Sequence, residues 1–259
     1  MSITVDLSGR VVVVTGGTRG VGAGIARAFL QAGAEVLVCA RRPPQEPVQA
    51  AGRKAEFASL DLRDAAAVAA FLTEATQRQG RLDVLVNNAG GTPFRLLDAG
   101  DAAQHARVVE LNLIAPLTAS LAALPHLRAN PDGGSIIMIG SVSGTRPSPG
   151  TAAYGAAKAG LANLAASMAV EWAPHVRVNT VVPGMVRTEL SHLHYGDEAG
   201  IAAVGRTVPL GRLAEPDEIG DVCVFLASPQ AAYLTGAALN VHGGGERPAF
   251  LDAANANKE

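Results

Sequence analysis

Residues 11–22 are Val11-Val-Val-Val-Thr15-Gly16-Gly17-Thr18-Arg19-Gly20-Val21-Gly22. A β-branched run typical of a buried strand leads into a glycine-rich turn, and an Ala-rich helical segment, Val21 to Gln31, follows. Glycine permits a sharp turn and lets backbone N–H groups approach a phosphate, where the helix dipole adds partial positive charge. Because the glycines stand between a strand and a helix, the pattern predicts a pyrophosphate-binding turn.

The rest of the chain repeats this alternation of strand and helix. Further β-like runs are Glu35–Cys39, Lys54–Ala58, Asp83–Val86, Ile136–Ile139, Val176–Val182 and Ala238–Val241, and the helical stretches are Asp64–Gln79, Asp101–Arg128, Ala152–Trp172 and Pro216–Ala227. Strands that alternate with long helices imply right-handed crossovers and a parallel sheet covered on both faces. We therefore predict an α/β fold with one domain over residues 1–259, a doubly wound Rossmann-like sheet in three α/β/α layers.

Composition and charge exclude several classes of partner. The net charge is −2 and no run of Lys or Arg stands out, so we expect neither nucleic-acid nor membrane-surface binding. The start of the chain lacks an apolar signal region, and the apolar stretch Leu111 to Leu127 is interpreted as a buried helix. Cys39 and Cys223 are interpreted as small core residues, which suits a cytoplasmic protein. The histidines show no metal-ligand spacing, so no metal is expected.

The end of the second strand bears on which dinucleotide is bound. A domain that selects NAD usually carries an acidic residue here for the ribose hydroxyls. This chain has Ala40 followed by Arg41 and Arg42, and Arg19 in the glycine turn is close enough in principle to share the pocket. Guanidinium groups make charge-assisted contacts with a 2′-phosphate. The pattern favours NADP(H), with NAD(H) as the less favoured alternative.

A tyrosine and a lysine have the spacing of an acid–base pair. Tyr154 and Lys158 are four apart in a helical stretch and share one face. A cation one turn away is expected to lower the pKa of the phenol, which then serves as general acid or base. Ser141 follows a strand and is a candidate donor to a substrate oxygen, with Ser143 as its rival. Asn112, inside an apolar helix, must be satisfied if it is buried.

The chain resembles the short-chain dehydrogenase/reductase family from Leu7 to about Gly244. The matching motifs, in family order, are Thr15-Gly-x-x-x-Gly-x-Gly22, Asp61-Leu62, Asn87-Asn88-Ala89-Gly90, Asn112, Ser141, Tyr154-x-x-x-Lys158, and Pro183-Gly184 with Thr188 downstream. The resemblance implies a seven-stranded parallel sheet. It also implies direct hydride transfer between a nicotinamide and a small-molecule carbonyl or alcohol.

The resemblance also implies the roles of individual residues. Asn112, Ser141, Tyr154 and Lys158 would form the catalytic set, in which Asn112 holds a water that connects Lys158 to solvent. Lys158 would also bind the nicotinamide ribose, beside Tyr154. The remaining cofactor contacts would be Gly16, Thr18, Arg19, Gly20 and Val21 in the turn, Arg41 and Arg42, Asp61 and Leu62 at the adenine, Asn88, Ala89 and Gly90, and Pro183, Gly184, Val186 and Thr188 along the nicotinamide.

Several alternatives remain open on sequence alone. A reductase of free ketones, sugars or steroids competes with a 3-oxoacyl-thioester reductase, for which Arg128 and Arg177 are scattered docking candidates. A catalytically silent NADP(H)-binding sensor or scaffold is the alternative of another class. The stretch from about 188 to 212 is predicted to be a lid, in which His192 and His194 are candidates to touch substrate. Residues 246–259 form a tail. The resemblance also implies a homotetramer through the helices at 101–128 and 152–172 and through the last helix and strand, with a dimer as the alternative.

Overall fold

The fold is built on a seven-stranded parallel sheet. The computed structural model describes residues 5–254, and the strands are β1 (Val11–Thr15), β2 (Glu35–Ala40), β3 (Gln49–Ala50), β4 (Arg53–Lys54), β5 (Glu56–Ser59), β6 (Val84–Asn87), β7 (Gly134–Ile139), β8 (Val176–Pro183) and β9 (Ala238–Val241). The strand order in the large sheet is β5-β2-β1-β6-β7-β8-β9, and β3 pairs with β4 in a separate hairpin. The order reverses beside β1, so a crevice forms there at the carboxyl ends of the strands.

Helices cover both faces of this sheet. They are α1 (Gly20–Gln31), α2 (Ala65–Gln79), α3 (Ala102–Val109), α4 (Ala115–Arg128), α5 (Ala152–Trp172), α6 (His192–Tyr195), α7 (Glu198–Thr207), α8 (Pro216–Ala227) and α9 (Ala249–Ala253). The Rossmann-like α/β fold expected from the alternation is therefore confirmed.

Alternate residues of the strands pack into two separate hydrophobic cores, one on each face of the sheet. In β1, Val12 and Val14 are buried in the cluster that includes α1 and α8, whereas Val11 and Val13 are buried in the cluster that includes α2, α4 and α5. The two cysteines divide in the same way and are both buried and free, which confirms their interpretation as core residues. The nearly continuous apolar runs of the strands are explained because both sheet faces are covered.

Two elements differ from the sequence prediction. The third sheet strand is Glu56–Ser59 rather than 54–58, because residues 49–54 turn back on themselves through Ala51 and Gly52, both at positive φ, and Lys54 pairs in that hairpin. The helix predicted over 101–128 contains a π-helical segment, Glu110–Ile114. Asn112 lies in this segment, and its side-chain amide donates at 2.8 Å to Val108 O, the carbonyl that a regular turn would pair with the Asn112 backbone N–H.

The predicted lid and tail both contain short helices. The stretch 188–212 holds α6 and α7, and its two ends are joined by a bridge between Val186 and Ala214. The tail forms α9, with Phe250 and Leu251 exposed, and its last residues, 255–259, lie outside the described part of the chain.

One helical stretch of residues 5–254, Ala102–Arg128, is long and apolar enough to cross a membrane by length and composition alone. This stretch contacts α2, α5 and strands of the sheet. Of the residues in its most apolar 18-residue part, 33% are buried. The helix expected between 111 and 127 thus packs on the sheet but leaves part of its surface open.

Candidate active site

A single large cavity collects almost every site residue predicted from sequence. It has a volume of about 760 Å³ and lies at the carboxyl ends of the central strands. Its wall includes Gly16, Thr18, Arg19, Gly20, Val21, Arg41, Asp61, Leu62, Asn88, Ala89, Gly90, Ser141, Tyr154, Lys158, Pro183, Gly184, Val186 and Thr188. Arg42 and Asn112 are the two predicted site residues that do not line it.

The glycine turn is held open at one end of this cavity. Gly16 has φ +64°, and α1 begins at Gly20 with no side chain capping its N-terminus. Asn88 donates from its side chain to Thr15 O at 2.9 Å and to Gly16 O at 3.2 Å, which fixes the turn against the end of β6. An uncapped helix N-terminus beside a backbone turn presents N–H groups to an anion.

The third glycine of the motif makes this close approach possible. A Cβ on Gly22 would lie 2.2 Å from Gly16 O and 2.5 Å from Asn88 Nδ2. We expect Gly22→Ala to destabilise the fold by about 1–3 kcal/mol and to weaken NADPH binding, because the turn must move away from the helix. Thermal unfolding and NADPH titration test this. Gly160→Ala is the control, since its Cβ would meet nothing closer than 3.4 Å; an equal loss in both variants would contradict the steric explanation.

The arginines near β2 divide into two groups. Arg19 and Arg41 line the cavity, and no ion pair is found for either within the described residues. Arg42 is exposed and off the cavity wall, so its prediction as a cofactor contact is not supported by its position. Both arginines follow the end of β2, and only the first of them reaches the cavity wall.

Asp61 at the same end is already paired. Its carboxylate accepts from Arg63 Nη2 at 2.6 Å and from Arg63 Nε at 3.0 Å. These hydrogen bonds hold the pKa of Asp61 at about 2. The charge of the one acidic residue near the predicted adenine position is therefore balanced by Arg63, a residue that the sequence analysis did not single out.

The predicted acid–base residues meet at the other end of the cavity. Lys158 Nζ lies 5.6 Å from the centroid of the Tyr154 ring and donates to Ile139 O at 2.7 Å. Ser141 lines the cavity and is hydrogen-bonded to Tyr154, whereas Ser143 stands behind it and donates its backbone N–H to Ser141 Oγ at 3.1 Å. Of the two serines, Ser141 is the one in position to contact a substrate.

The expected lowering of the Tyr154 pKa is wrong for the structure described. Burial raises the pKa of Tyr154, and the hydrogen bond with Ser141 opposes this only in part. Burial also lowers the pKa of Lys158 to about 8. Both shifts have the same cause, since a low-dielectric cleft disfavours phenolate and ammonium alike. The tyrosine is thus held as a neutral phenol, the form that donates a proton.

Asn112 lies behind the cavity wall. It is fully buried, and its Oδ1 accepts from Gly91 N at 2.9 Å while its Nδ2 donates to Gly91 O at 3.0 Å. A Cβ on Gly90 would lie 2.5 Å from Asn112 Oδ1 and 3.5 Å from Lys158 Nζ, so the asparagine and the lysine are close neighbours. The core hydrogen bonds weighed for Asn112 are present, and the water relay stays a prediction.

The residues present fit a nicotinamide dinucleotide. The glycine turn and uncapped helix suit a pyrophosphate, the long cavity joins that turn to Tyr154, and glycines at positions 16, 20 and 22 leave room that side chains would fill. Residues of the turn would hold the phosphates, and Lys158 lies where it would meet the nicotinamide ribose.

The comparisons with known proteins agree with this geometry. A family model described as Enoyl-(Acyl carrier protein) reductase, from the short-chain dehydrogenase/reductase group, matches residues 16–246. The chain belongs to the short-chain dehydrogenase/reductase family. An uncharacterized oxidoreductase of Mycobacterium tuberculosis is 37% identical over 243 residues, which is 92% of each chain. The 3-oxoacyl-(acyl-carrier-protein) reductase FabG of Vibrio cholerae is 38% identical over 92% of this chain and 98% of its own.

A solved relative confirms the architecture. The aldohexose dehydrogenase of Thermoplasma acidophilum, in ligand-free form, superposes with a TM-score of 0.86 at 28% identity, over 99% of this chain and 98% of its own. As a member of the short-chain dehydrogenase/reductase family, the chain is an NAD(P)H-dependent oxidoreductase acting on CH–OH groups.

The family motifs did not indicate one part of the cavity wall. The loop after β6 and the start of α3 contribute Thr92, Pro93, Arg95, Gln104 and His105. The available signal was their place after a strand end, where ligands bind in such sheets. His194 of the predicted lid also lines the cavity, whereas His192 faces a smaller neighbouring cavity.

Proposed function

We propose that this short-chain dehydrogenase/reductase uses NADP(H) to interconvert a ketone or aldehyde and an alcohol. The observation that carries the proposal is that one cavity holds the catalytic residues and the cofactor-binding residues at its two ends. Ser141, Tyr154 and Lys158 converge at one end, and the glycine turn with Arg19 and Arg41 lies at the other. This arrangement suits a dinucleotide whose reactive ring meets the proton donor.

The chain's own residues would prepare the carbonyl and move the proton. When bound, the nicotinamide supplies the hydride in reduction and accepts it in oxidation. The hydroxyls of Ser141 and Tyr154 would bind the substrate oxygen and stabilise the charge that develops on it. Tyr154 gives its proton to that oxygen in reduction and takes it back in oxidation. Lys158 stabilises the phenolate left behind, and Asn112 would support a water through which Lys158 exchanges protons with solvent.

The cofactor preference rests on the arginines near β2. We expect Arg41→Ala to weaken NADPH binding roughly 10- to 100-fold and NADH binding much less, because only NADPH has a 2′-phosphate for the guanidinium to bind. Fluorescence titration with both cofactors measures this. Arg42→Ala is the matched control, and its effect should be smaller because its side chain is off the cavity wall. Equal losses for NADPH and NADH in Arg41→Ala would contradict the 2′-phosphate assignment.

The alternative of a 3-oxoacyl-thioester reductase is favoured by one observation, the similarity to FabG. Against it, Arg177 is not free to dock a carrier protein, because its guanidinium is largely buried and donates to Leu226 O and Leu234 O. The alternative of a catalytically silent sensor has no such observation in its favour, since all four predicted catalytic residues are present.

A substrate panel tests the proposal directly. Ketones, aldoses, secondary alcohols and 3-oxoacyl thioesters are assayed with NADPH and NADH by nicotinamide absorbance. We expect turnover of at least one carbonyl compound with a preference for NADPH. Turnover confined to carrier-bound thioesters would favour the alternative, and no turnover of any compound would contradict the proposal.

Three further expectations belong to the same proposal. We propose a homotetramer through α4 and α5, which present the exposed apolar side chains Leu121 and Val170, the latter 81% exposed.

The stretch 188–212 would act as a lid, since His194 lines the cavity and the bridge between Val186 and Ala214 fixes its base. The free cysteines suit a cytoplasmic location.

A further inference from the structure

Three basic side chains on the cavity wall, Arg95, His105 and Arg107, have no role in the chemistry described above, and the first two lie next to each other. Arg95 lies in the loop between β6 and α3, and His105 lies in the first turns of α3. Both are half-buried and both line the cavity. Neither belongs to the motifs of the glycine turn or the catalytic set, so their place at the cavity needs its own explanation.

The two side chains converge on one point. A Cβ on Gly100 would lie 2.8 Å from Arg95 Cδ and 2.8 Å from His105 Nε2. The absence of a side chain at Gly100 therefore leaves room for the aliphatic part of Arg95 beside the His105 ring, whose Nε2 is hydrogen-bonded to Leu97 O at 3.1 Å. The backbone also ties Arg95 to the catalytic helix, since its N–H donates at 2.7 Å to Gly150 O, just before α5 and Tyr154.

The guanidinium of Arg95 is held by a neutral group. Gln104 Oε1 accepts from Arg95 Nη1 and also from Asp101 N, and Asp101 in turn accepts from Gln104 N at 2.7 Å. This capping box fixes the amide, and the amide fixes the arginine. Among the described side chains, no carboxylate forms an ion pair with Arg95. Its positive charge is thus oriented but not neutralised.

The charge of the cavity wall points to an anionic ligand. The described wall carries six Lys or Arg side chains and two Asp or Glu, in a chain whose net charge is −2. Arg19 and Arg41 are assigned to the cofactor near β2. Arg95 lies beside the segment between β7 and α5, to which its backbone is hydrogen-bonded. In the sheet, β7 is three strands away from β2, a distance of roughly 14 Å. The positive charge of Arg95 is therefore left for the substrate end of the cavity.

We infer that the guanidinium of Arg95 binds an anionic oxygen group of the substrate, with the His105 ring packed beside the arginine side chain. The natural substrate is then a ketone or alcohol that also carries a carboxylate or a phosphate, rather than a neutral sugar, steroid or simple ketone. Gln104 is a positioning residue that presents the guanidinium. The inference rests on the proposed function, because it names the substrate class of that same site.

Paired substrates test the inference. Short 2-oxo and 3-oxo acids are compared with their methyl esters, and hydroxyacetone phosphate is compared with hydroxyacetone, so that carboxylate and phosphate are distinguished. We expect kcat/KM to favour the charged member of at least one pair roughly 10- to 100-fold, as charge-assisted hydrogen bonds allow. Arg95→Gln should remove that preference, because it lowers kcat/KM for the charged member much more than for the neutral one. Arg95→Lys should keep part of it.

The control and the binding measurement separate this inference from the proposed function. Arg128→Gln changes an exposed arginine at the end of α4, off the cavity wall, and should keep the full preference. Calorimetric titration of the same pairs in the presence of NADP⁺ reports binding without turnover. Turnover without a preference for any charged member would overturn the inference while the oxidoreductase function stands. Arg95-dependent binding of an acid without turnover would support the inference and count against the proposed reaction. No preference in either measurement overturns the inference.

Discussion

Tyr154→Phe is expected to lower kcat by about 10²–10⁴-fold, the range that a positioned general acid contributes. The Tyr154 phenol is neutral and hydrogen-bonded to Ser141. Its ring centroid lies 5.6 Å from Lys158 Nζ. Phenylalanine keeps the ring and loses only the hydroxyl that gives the proton. The measurement is steady-state turnover of the best substrate from the panel.

Cofactor binding is the control for this variant. Because the phosphates are expected at the glycine turn, at the opposite end of the cavity, NADPH affinity should change by no more than about 2-fold, within 0.5 kcal/mol. Ser143→Ala serves as a matched hydroxyl deletion, since Ser143 stands behind Ser141 and off the cavity wall. Wild-type turnover by Tyr154→Phe would remove the proton role from this residue.

Lys158→Met is expected to reduce activity strongly and to stabilise the fold. The ammonium group is buried, with Ile139 O as its hydrogen-bond acceptor, and burial lowers its pKa from 10.5 to about 8. This pKa shift means that burying the charged ammonium destabilises the wild type by about 3 kcal/mol at neutral pH. The methionine variant avoids that cost but loses the hydrogen bond to Ile139 O, which is worth about 1 kcal/mol. We expect a gain of about 1–3 kcal/mol in the free energy of unfolding at pH 7.

The pH dependence of this gain has a definite sign. Below pH 8 the lysine is charged in both states, so its burial penalty is fully present. Between pH 8 and 10.5 the folded protein loses the proton while the unfolded chain keeps it, so the wild type gains stability relative to the variant. The difference in the free energy of unfolding, measured by urea denaturation, should shrink across that interval. A constant difference would show that the charge of Lys158 does not control its effect.

Much of the fold followed from local patterns. The buried β-branched run Val11–Val14, the glycines after it and the repeated alternation of strand and helix determined the parallel sheet, because each feature acts over a few residues. Deviations arose where a single side chain or turn competes with the regular pattern. The side chain of Asn112 bonds a helix carbonyl within the π-helical segment, and Ala51 with Gly52 turns Lys54 away from the main sheet.

The site divides in the same way. The catalytic residues and the glycine turn lie in short motifs with fixed spacing, so the family resemblance was enough to predict them. Arg95 and His105 were missed because they meet only through the room left by Gly100 and through the capping box at Asp101, which no local pattern encodes. The direction of the Tyr154 pKa was also missed, because burial is a property of the folded cleft and not of the Tyr154–Lys158 spacing.

A crystal structure of the protein with NADP⁺ would show how the cavity holds the cofactor. We expect the pyrophosphate at the uncapped N-terminus of α1, the 2′-phosphate between Arg19 and Arg41, and the nicotinamide beside Tyr154 and Ser141 with its ribose at Lys158. A dinucleotide bound outside this cavity, or with its nicotinamide turned away from the Tyr154 hydroxyl, would contradict this arrangement.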